Sequence, residues 1–232
     1  MAADKNIEKL ITVDGPSGVG KGTICLLLSH QLNWPVLDSG ALYRLTACAA
    51  MQDATAEDDH ETLEKTAIEL DVRFESGIDG LRYFLRNEDV SDKIREEATG
   101  NMASKVAAVE GVRAALLEKQ RSLANQAGLI ADGRDMGTVV FPNAPLKIYL
   151  TASAEERAER RFKQLKDKGV DVNIRDLVAD LTARDERDSN RKVAPLKPAE
   201  DAVIIDTTEL SVAEVEAQVL QLARQLFELS SD

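Results

Sequence analysis

Apolar positions along the chain fall into two patterns, short unbroken runs and longer stretches spaced by three and four. Leu10-Ile11-Thr12-Val13 is an unbroken, β-branched run that stops at Asp14 and a glycine-rich turn, which predicts a strand buried on both faces. Pro35-Val36-Leu37, Leu129-Ile130-Ala131, Lys147-Ile148-Tyr149-Leu150 and Ala202-Val203-Ile204-Ile205 repeat the pattern, giving five short core strands. Helical spacing follows the first two runs, with Ile24, Leu27, Leu28 and Leu32 after Thr23, then Leu42, Leu45 and Ala49. Val109, Val112, Leu116, Leu117 and Leu123 predict a long helix with Gly128 at its C′ position. Val212, Val215, Val219, Leu222, Leu226 and Leu229 predict a last helix with a continuous apolar stripe. Ser153 with Glu156, and Ser211 with Glu214, have the spacing of capping boxes that start helices.

Strands alternating with helices define an α/β chain with a doubly wound parallel sheet, whose ligands bind at the carboxyl ends of the strands. One stretch breaks the alternation. Val72-Arg73-Phe74 and Leu81-Arg82-Tyr83-Phe84-Leu85 flank a Gly77-Ile78-Asp79-Gly80 turn, which predicts an antiparallel hairpin within a subdomain inserted over 53–100. Neither an internal repeat nor a low-complexity segment interrupts the rest.

Composition narrows the function classes. With 232 residues, 44% hydrophobic and 30% charged, the chain is long enough for one α/β domain with elaborations. A net charge of −12 argues against gripping nucleic acid by neutralising phosphates. Cys25, Cys48, His30 and His60 are the only cysteines and histidines, too few for a disulfide framework or a Cys/His metal cluster. A reducing, cytoplasmic setting is expected. Asp4 and Glu8 near the start, and the lack of any run near the roughly 18 apolar residues of a membrane span, predict a soluble, unprocessed protein without membrane contact.

Candidate chemistry concentrates after the strands. Gly15-Pro16-Ser17-Gly18-Val19-Gly20-Lys21-Gly22-Thr23 lies between a predicted strand and a predicted helix, the context in which a phosphate loop works. Its glycines let successive N–H groups turn inward onto phosphate oxygens, the helix N-terminus adds partial positive charge, and Lys21 supplies a cation for the β and γ phosphates. Gly22 stands where the common loop has Ser or Thr directly after the lysine, which leaves Thr23 one position late for direct Mg²⁺ ligation. An Asn-Lys-x-Asp guanine reader is absent, which disfavours a GTPase switch.

Asp38-Ser39-Gly40-Ala41-Leu42-Tyr43-Arg44 places a hydroxyl at a helix start and a guanidinium one turn on, suited to an acceptor phosphate, with Arg44 as a solvated helix charge the alternative. In Asp132-Gly133-Arg134-Asp135-Met136-Gly137-Thr138, Asp132 is placed to orient water on Mg²⁺ and Arg134 to clamp a phosphate, with a loop-capping ion pair the alternative. Across 154–192, eleven Lys or Arg stand against ten Asp or Glu, a net of +1, so the rest of the chain carries −13. Arg157, Arg160, Arg161, Arg184, Arg187 and Arg191 bracket Gly169 there, as in a mobile arginine-rich lid or in two exposed salt-bridged helices, and about half of them are expected at phosphate.

The phosphate loop, the Asp38 to Arg44 run, Gly133-Arg134-Asp135-Met136-Gly137-Thr138 and Arg184-Asp185-Glu186-Arg187-Asp188-Ser189-Asn190-Arg191, in this order and nearly end to end, resemble the bacterial cytidylate kinases. The resemblance implies a single phosphate-loop kinase domain over 1–232, with a lid at 154–192 and the 53–100 insert as a monophosphate-binding subdomain. It implies ATP at residues 15–23 and Arg160, and catalytic roles for Lys21, Arg134 and Arg191. Ser39, Arg44, Arg134 and Arg191 match the monophosphate site, Ser104, Arg113 and Asp135 the cytosine site, and Arg184 and Asp188 the pentose site. Mg²⁺ is implied as cofactor, with Thr23 and Asp132 near it and Asp132 acting through water. The expected reaction is ATP-dependent phosphorylation of CMP and dCMP by a monomer whose partners are small molecules. The alternatives are a kinase for another acceptor such as UMP or AMP, and a nucleotide-dependent binding module that transfers nothing.

Overall fold

The computed structural model describes residues 8–77, 80–122, 128–167 and 169–229. Asp4, the turn residues Ile78 and Asp79, and Leu123 lie outside them. The chain divides into two compact units, Met1–Asp38 with Arg121–Asp232, and Ser39–Gln120.

In the first unit, β1 (Leu10–Asp14), β2 (Val36–Asp38), β6 (Leu129–Gly133), β7 (Leu146–Thr151) and β8 (Val203–Asp206) form a sheet of order β2-β6-β1-β7-β8. Every neighbouring pair is parallel, with Val13 opposite Asp132 on one side and Ile148 on the other. The five runs read as strands are these five, and β1 is central, so whatever follows it stands mid-sheet. All five residues of β1 are buried, as are Ile130, Ile148 and Leu150 beside it. The edge strand β8 differs, since Ile204 is 59% exposed.

Helix α1 (Lys21–Leu32) buries Ile24, Cys25 and Leu28 in the core it shares with Val215, Val219 and Ala223 of α8 (Val212–Phe227). The apolar stripe of α8 is narrower than its spacing predicts, because Val212 and Leu226 are about half exposed. Ser211 and Glu214 form the full capping box. At α6 (Ala154–Asp167) the box is one-sided: Ser153 Oγ accepts from the Glu156 N–H at 3.1 Å, while the Glu156 carboxylate accepts from Arg160 at 2.9 Å. Helix α6 packs on α7 (Ile174–Ser189) through Ala158, Leu165, Leu177 and Leu181, a small core of its own within 154–192.

The second unit holds α2 (Ser39–Gln52), α3 (His60–Ile68), α4 (Glu97–Val106) and all of α5 (Glu110–Ser122) except Arg121 and Ser122, which belong to the first unit. The strands β3 (Val72–Gly77), β4 (Gly80–Leu85) and β5 (Glu88–Asp89) form an antiparallel sheet, the first two being the hairpin read from the sequence. Leu42, Leu45, Leu63, Leu85, Val112 and Leu116 share one core. Helix α2 is buried almost all round rather than on one face. Helices α3 and α4 were not foreseen, and a single π turn (Met136–Val140) in the first unit replaces the simple loop expected after β6.

Candidate active site

The phosphate loop follows β1 and turns back through three glycines in the left-handed region, Gly15 at φ 146°, Gly18 at 82° and Gly20 at 93°. Gly15 is further constrained by space, since a Cβ there would lie 2.1 Å from the Leu150 carbonyl oxygen. A Cβ on Gly18 would meet Arg157 Cβ at 3.2 Å, whereas at Gly20 nothing lies within 4 Å. The loop delivers Lys21 to the first turn of α1, where the ammonium is buried and donates to the Pro16 carbonyl at 2.9 Å. Burial, then repulsion from Arg134, lowers its pKa to about 8 against the attraction of Asp132, Cys25 and Asp14. Thr23 is exposed.

Asp132 is the one partly exposed residue of β6, between buried Ala131 and Gly133, and a Cβ on Gly22 of the loop would lie 3.6 Å from its Oδ2. Arg134 Nε donates to Asp188 Oδ2 at 3.2 Å, and Arg191 Nη2 pairs with the other oxygen, Oδ1, at 2.6 Å. One buried carboxylate thus holds two guanidinium groups together against their mutual repulsion. Asp135 is buried, as is Arg184 on α7. Arg160 donates to Glu156 and, at 3.1 and 2.6 Å, to the hydroxyl and carbonyl of buried Thr207.

Within the second unit lie the other predicted residues. Ser39 opens α2 and is buried, and Arg44 one turn on donates to the Ile94 carbonyl at 2.7 Å. Ser104 is buried on α4, and Arg113 on α5 stands over the Tyr43 ring at 5.4 Å. So the first unit brings together the phosphate loop, Asp132, Arg134, Asp135, Arg160, Arg184, Asp188 and Arg191, and the second carries Ser39, Arg44, Ser104 and Arg113.

Three residues of the neighbourhood, Tyr149, Asp14 and Tyr43, went unread as site residues, and a fourth, Arg157, was read only as one of six lid arginines. Arg157 is buried, pairs with Asp185 at 2.6 Å and donates to the Ser17 carbonyl at 3.0 Å, tying α7 and the phosphate loop to α6. Tyr149 sits opposite Asp14 across β1 and β7, its phenol pKa raised first by burial and then by Asp14. Asp14 accepts the Met136 and Gly137 N–H groups, both at 2.8 Å. Burial pushes its carboxyl up to about 7 despite those two bonds, with Asp135 adding to the rise and Lys21 opposing it. Tyr43 lies in the second unit. The available signal was position alone, at the end of a strand or the start of the helix after it.

A loop of this kind at the centre of a parallel sheet, with a buried lysine in it and a carboxylate-bridged arginine pair near that lysine, defines a phosphate-loop phosphotransferase. The family model described as cytidylate kinase matches residues 11–225. Cytidylate kinases of Photobacterium profundum and Colwellia psychrerythraea are 53% and 56% identical to the chain. They cover 96% and 92% of it, and 97% and 95% of their own lengths. The chain belongs to the cytidylate kinase family. A crystal structure of an uncharacterized protein from Eubacterium ventriosum ATCC 27560 is alike in fold alone, with a TM-score of 0.50 at 11% identity over 94% of this chain and 99% of that one.

Proposed function

We propose that the chain transfers the γ-phosphoryl group of ATP to an α-phosphate oxygen of CMP and dCMP. The observation that carries this reading is Asp188 holding Arg134 and Arg191 together, with Arg134 near enough to Lys21 to depress its pKa. Phosphoryl transfer asks the protein for position and charge rather than for covalent chemistry, and these cations supply both. The acceptor oxygen is already anionic at neutral pH, so no general base is needed. The loop N–H groups and Lys21 hold the β and γ phosphates; Arg134 and Arg191 of the first unit, and Ser39 and Arg44 of the second, are the residues for the α phosphate of the acceptor. Asp135 accepts from the cytosine amino group, Arg113 donates to its ring acceptors with Ser104 as a helper, and Arg184 and Asp188 hold the pentose. Arg160 serves the ATP side through α6. Residues 154–192 act as the lid.

The residues at the loop fit a divalent cation that arrives on the nucleotide. Asp132 offers a carboxylate beside Gly22 and Thr23 an exposed hydroxyl, while no cluster of three His, Cys, Asp or Glu among the described residues makes a metal cage. Asp132 and Thr23 would hold such an ion, Mg²⁺, through its waters, and the ion would supply charge neutralisation for the transfer. Among the described residues no helix is long and apolar enough to cross a membrane. A net charge of −12 favours small-molecule partners over nucleic acid, and our reading is of a monomer acting in the cytoplasm. The test is ADP release from ATP across a panel of nucleoside monophosphates. CMP and dCMP should accelerate it most; acceleration only by UMP or AMP gives another acceptor, and none at all gives a binding module.

A further inference from the structure

The turn after Asp135 is held at both ends by charged side chains that the transfer step does not use. At its start, the two oxygens of the Asp14 carboxylate each accept one backbone N–H, from Met136 and Gly137, both at 2.8 Å. At its end, Arg121 of the same unit donates to the Val139 and Val140 carbonyls at 3.1 and 3.0 Å. Anion at the N–H end and cation at the carbonyl end is the favourable sense for a helical dipole. The turn itself is a π turn, closed by Val140 N–H to the Asp135 carbonyl at 3.1 Å and Phe141 N–H to the Met136 carbonyl at 2.7 Å. Such turns are rare and cluster at functional sites.

Seating on the sheet is equally tight. A Cβ on Gly137 would lie 2.9 Å from Thr12 Oγ1 and 3.2 Å from Lys147 Cδ. Thr12 and Asp14 are two apart on β1, so their side chains share one face of the sheet. Asp14 in turn cannot drift. It is registered against Gly133 of β6 and Tyr149 of β7, and it immediately precedes Gly15, where the chain passes hard against the Leu150 carbonyl. A buried carboxylate is expensive unless its oxygens are fully used, and here they bind successive N–H groups directly after the Arg134-Asp135 pair.

We propose that Asp14 is a positioning residue for the acceptor, fixing through the Met136–Val140 turn where Arg134 and Asp135 stand relative to the phosphate loop. The inference rests on the proposed acceptor reading and adds a residue to it. Asp14→Asn keeps the shape but offers one acceptor and turns an NH₂ against one of the two N–H groups. It should lower kcat/KM for the monophosphate about 100-fold, the scale of a misplacement near 1 Å, while the KM for ATP stays within about twofold. The preference for CMP over UMP should shrink, and hydrogen exchange at the Met136 and Gly137 amides should accelerate. Gly137→Ala should reproduce the kinetic pattern by lifting the turn off Thr12, and Thr12→Ala in that background should restore most of the loss. If Asp14→Asn fails to fold, Gly137→Ala and its rescue decide. Unchanged monophosphate kinetics in a folded variant, equal losses toward ATP and monophosphate, or absence of the rescue would overturn the proposal. A wild-type enzyme indifferent to CMP refutes the acceptor reading instead, and the amide exchange and the kinetics toward whichever monophosphate is used still report on Asp14.

Discussion

Lys21 is the residue whose chemistry is set most clearly by its surroundings. Its ammonium is charged below about 8 and loses the proton as pH rises through that value. The charge that we propose it lends the β and γ oxygens would disappear with it. We therefore expect kcat/KM for ATP, which reports the free enzyme, to fall on the alkaline side with a midpoint near 8. The same limb in kcat should lie higher, because bound phosphates favour the ammonium. Lys21→Ala should remove that limb and lower kcat by orders of magnitude in a protein that still folds. Arg134→Lys tests the guanidinium pair in the same spirit. It keeps the charge but loses the planar fork, so steady-state kinetics should show a fall of at least about tenfold in kcat/KM for CMP. Wild-type kinetics in that variant would make Arg134 a structural residue. At this scale the lysine was legible because a nine-residue motif surrounds it. Asp14 was not, because an aspartate at the end of a strand reads as a turn residue until the N–H groups it binds, more than a hundred residues away in sequence, are in view.

The elements that were legible are those whose burial shows as hydropathy. Each core strand is a short unbroken apolar run, and α1 and α8 bury residues spaced by three and four. Helix α3 offers only Leu63 and Ala67 as buried positions among nine residues, too few to establish a period. Helix α4 buries Val106 together with Thr99, Gly100, Ala103 and Ser104, and on those four small residues a hydropathy pattern is nearly silent. The π turn follows from tertiary contact with Asp14, Thr12 and Arg121, which no local pattern encodes. The glycines of the phosphate loop give the prediction at this scale. Gly15→Ala must displace the Leu150 carbonyl that its Cβ would meet at 2.1 Å, so it should unfold the sheet or cost several kcal/mol. Gly20→Ala meets open space and pays only for its left-handed φ of 93°, about 1–2 kcal/mol. Urea unfolding of the two variants should separate them in that order.

Across the whole molecule, charge is divided unevenly, and 154–192 carries a net of +1 while the rest of the chain carries −13. Its two helices pack on each other through a small core of their own and reach the phosphate loop, Thr207 and Arg134 through the polar contacts of Arg157, Arg160 and Asp188. Hydrogen exchange across α6 and α7 should slow when CMP and a non-hydrolysable ATP analogue bind together; unchanged exchange would argue against a lid. Acceptor choice also belongs to this scale. Cytosine offers an amino donor and an unprotonated ring nitrogen, and uracil offers neither, so the proposed roles of Asp135 and Arg113 would leave both groups unpaired with the wrong base. Asp135→Ala should therefore harm CMP far more than UMP. The most direct measurement is a competition in one tube, with γ-labelled ATP, equal CMP and UMP, and the label followed into CDP and UDP, whose ratio is the ratio of kcat/KM values. Label in CDP over UDP by about 100-fold or more is the expected result for a cytosine-reading kinase. Equal labelling of the two diphosphates, or label released only as inorganic phosphate, would contradict it.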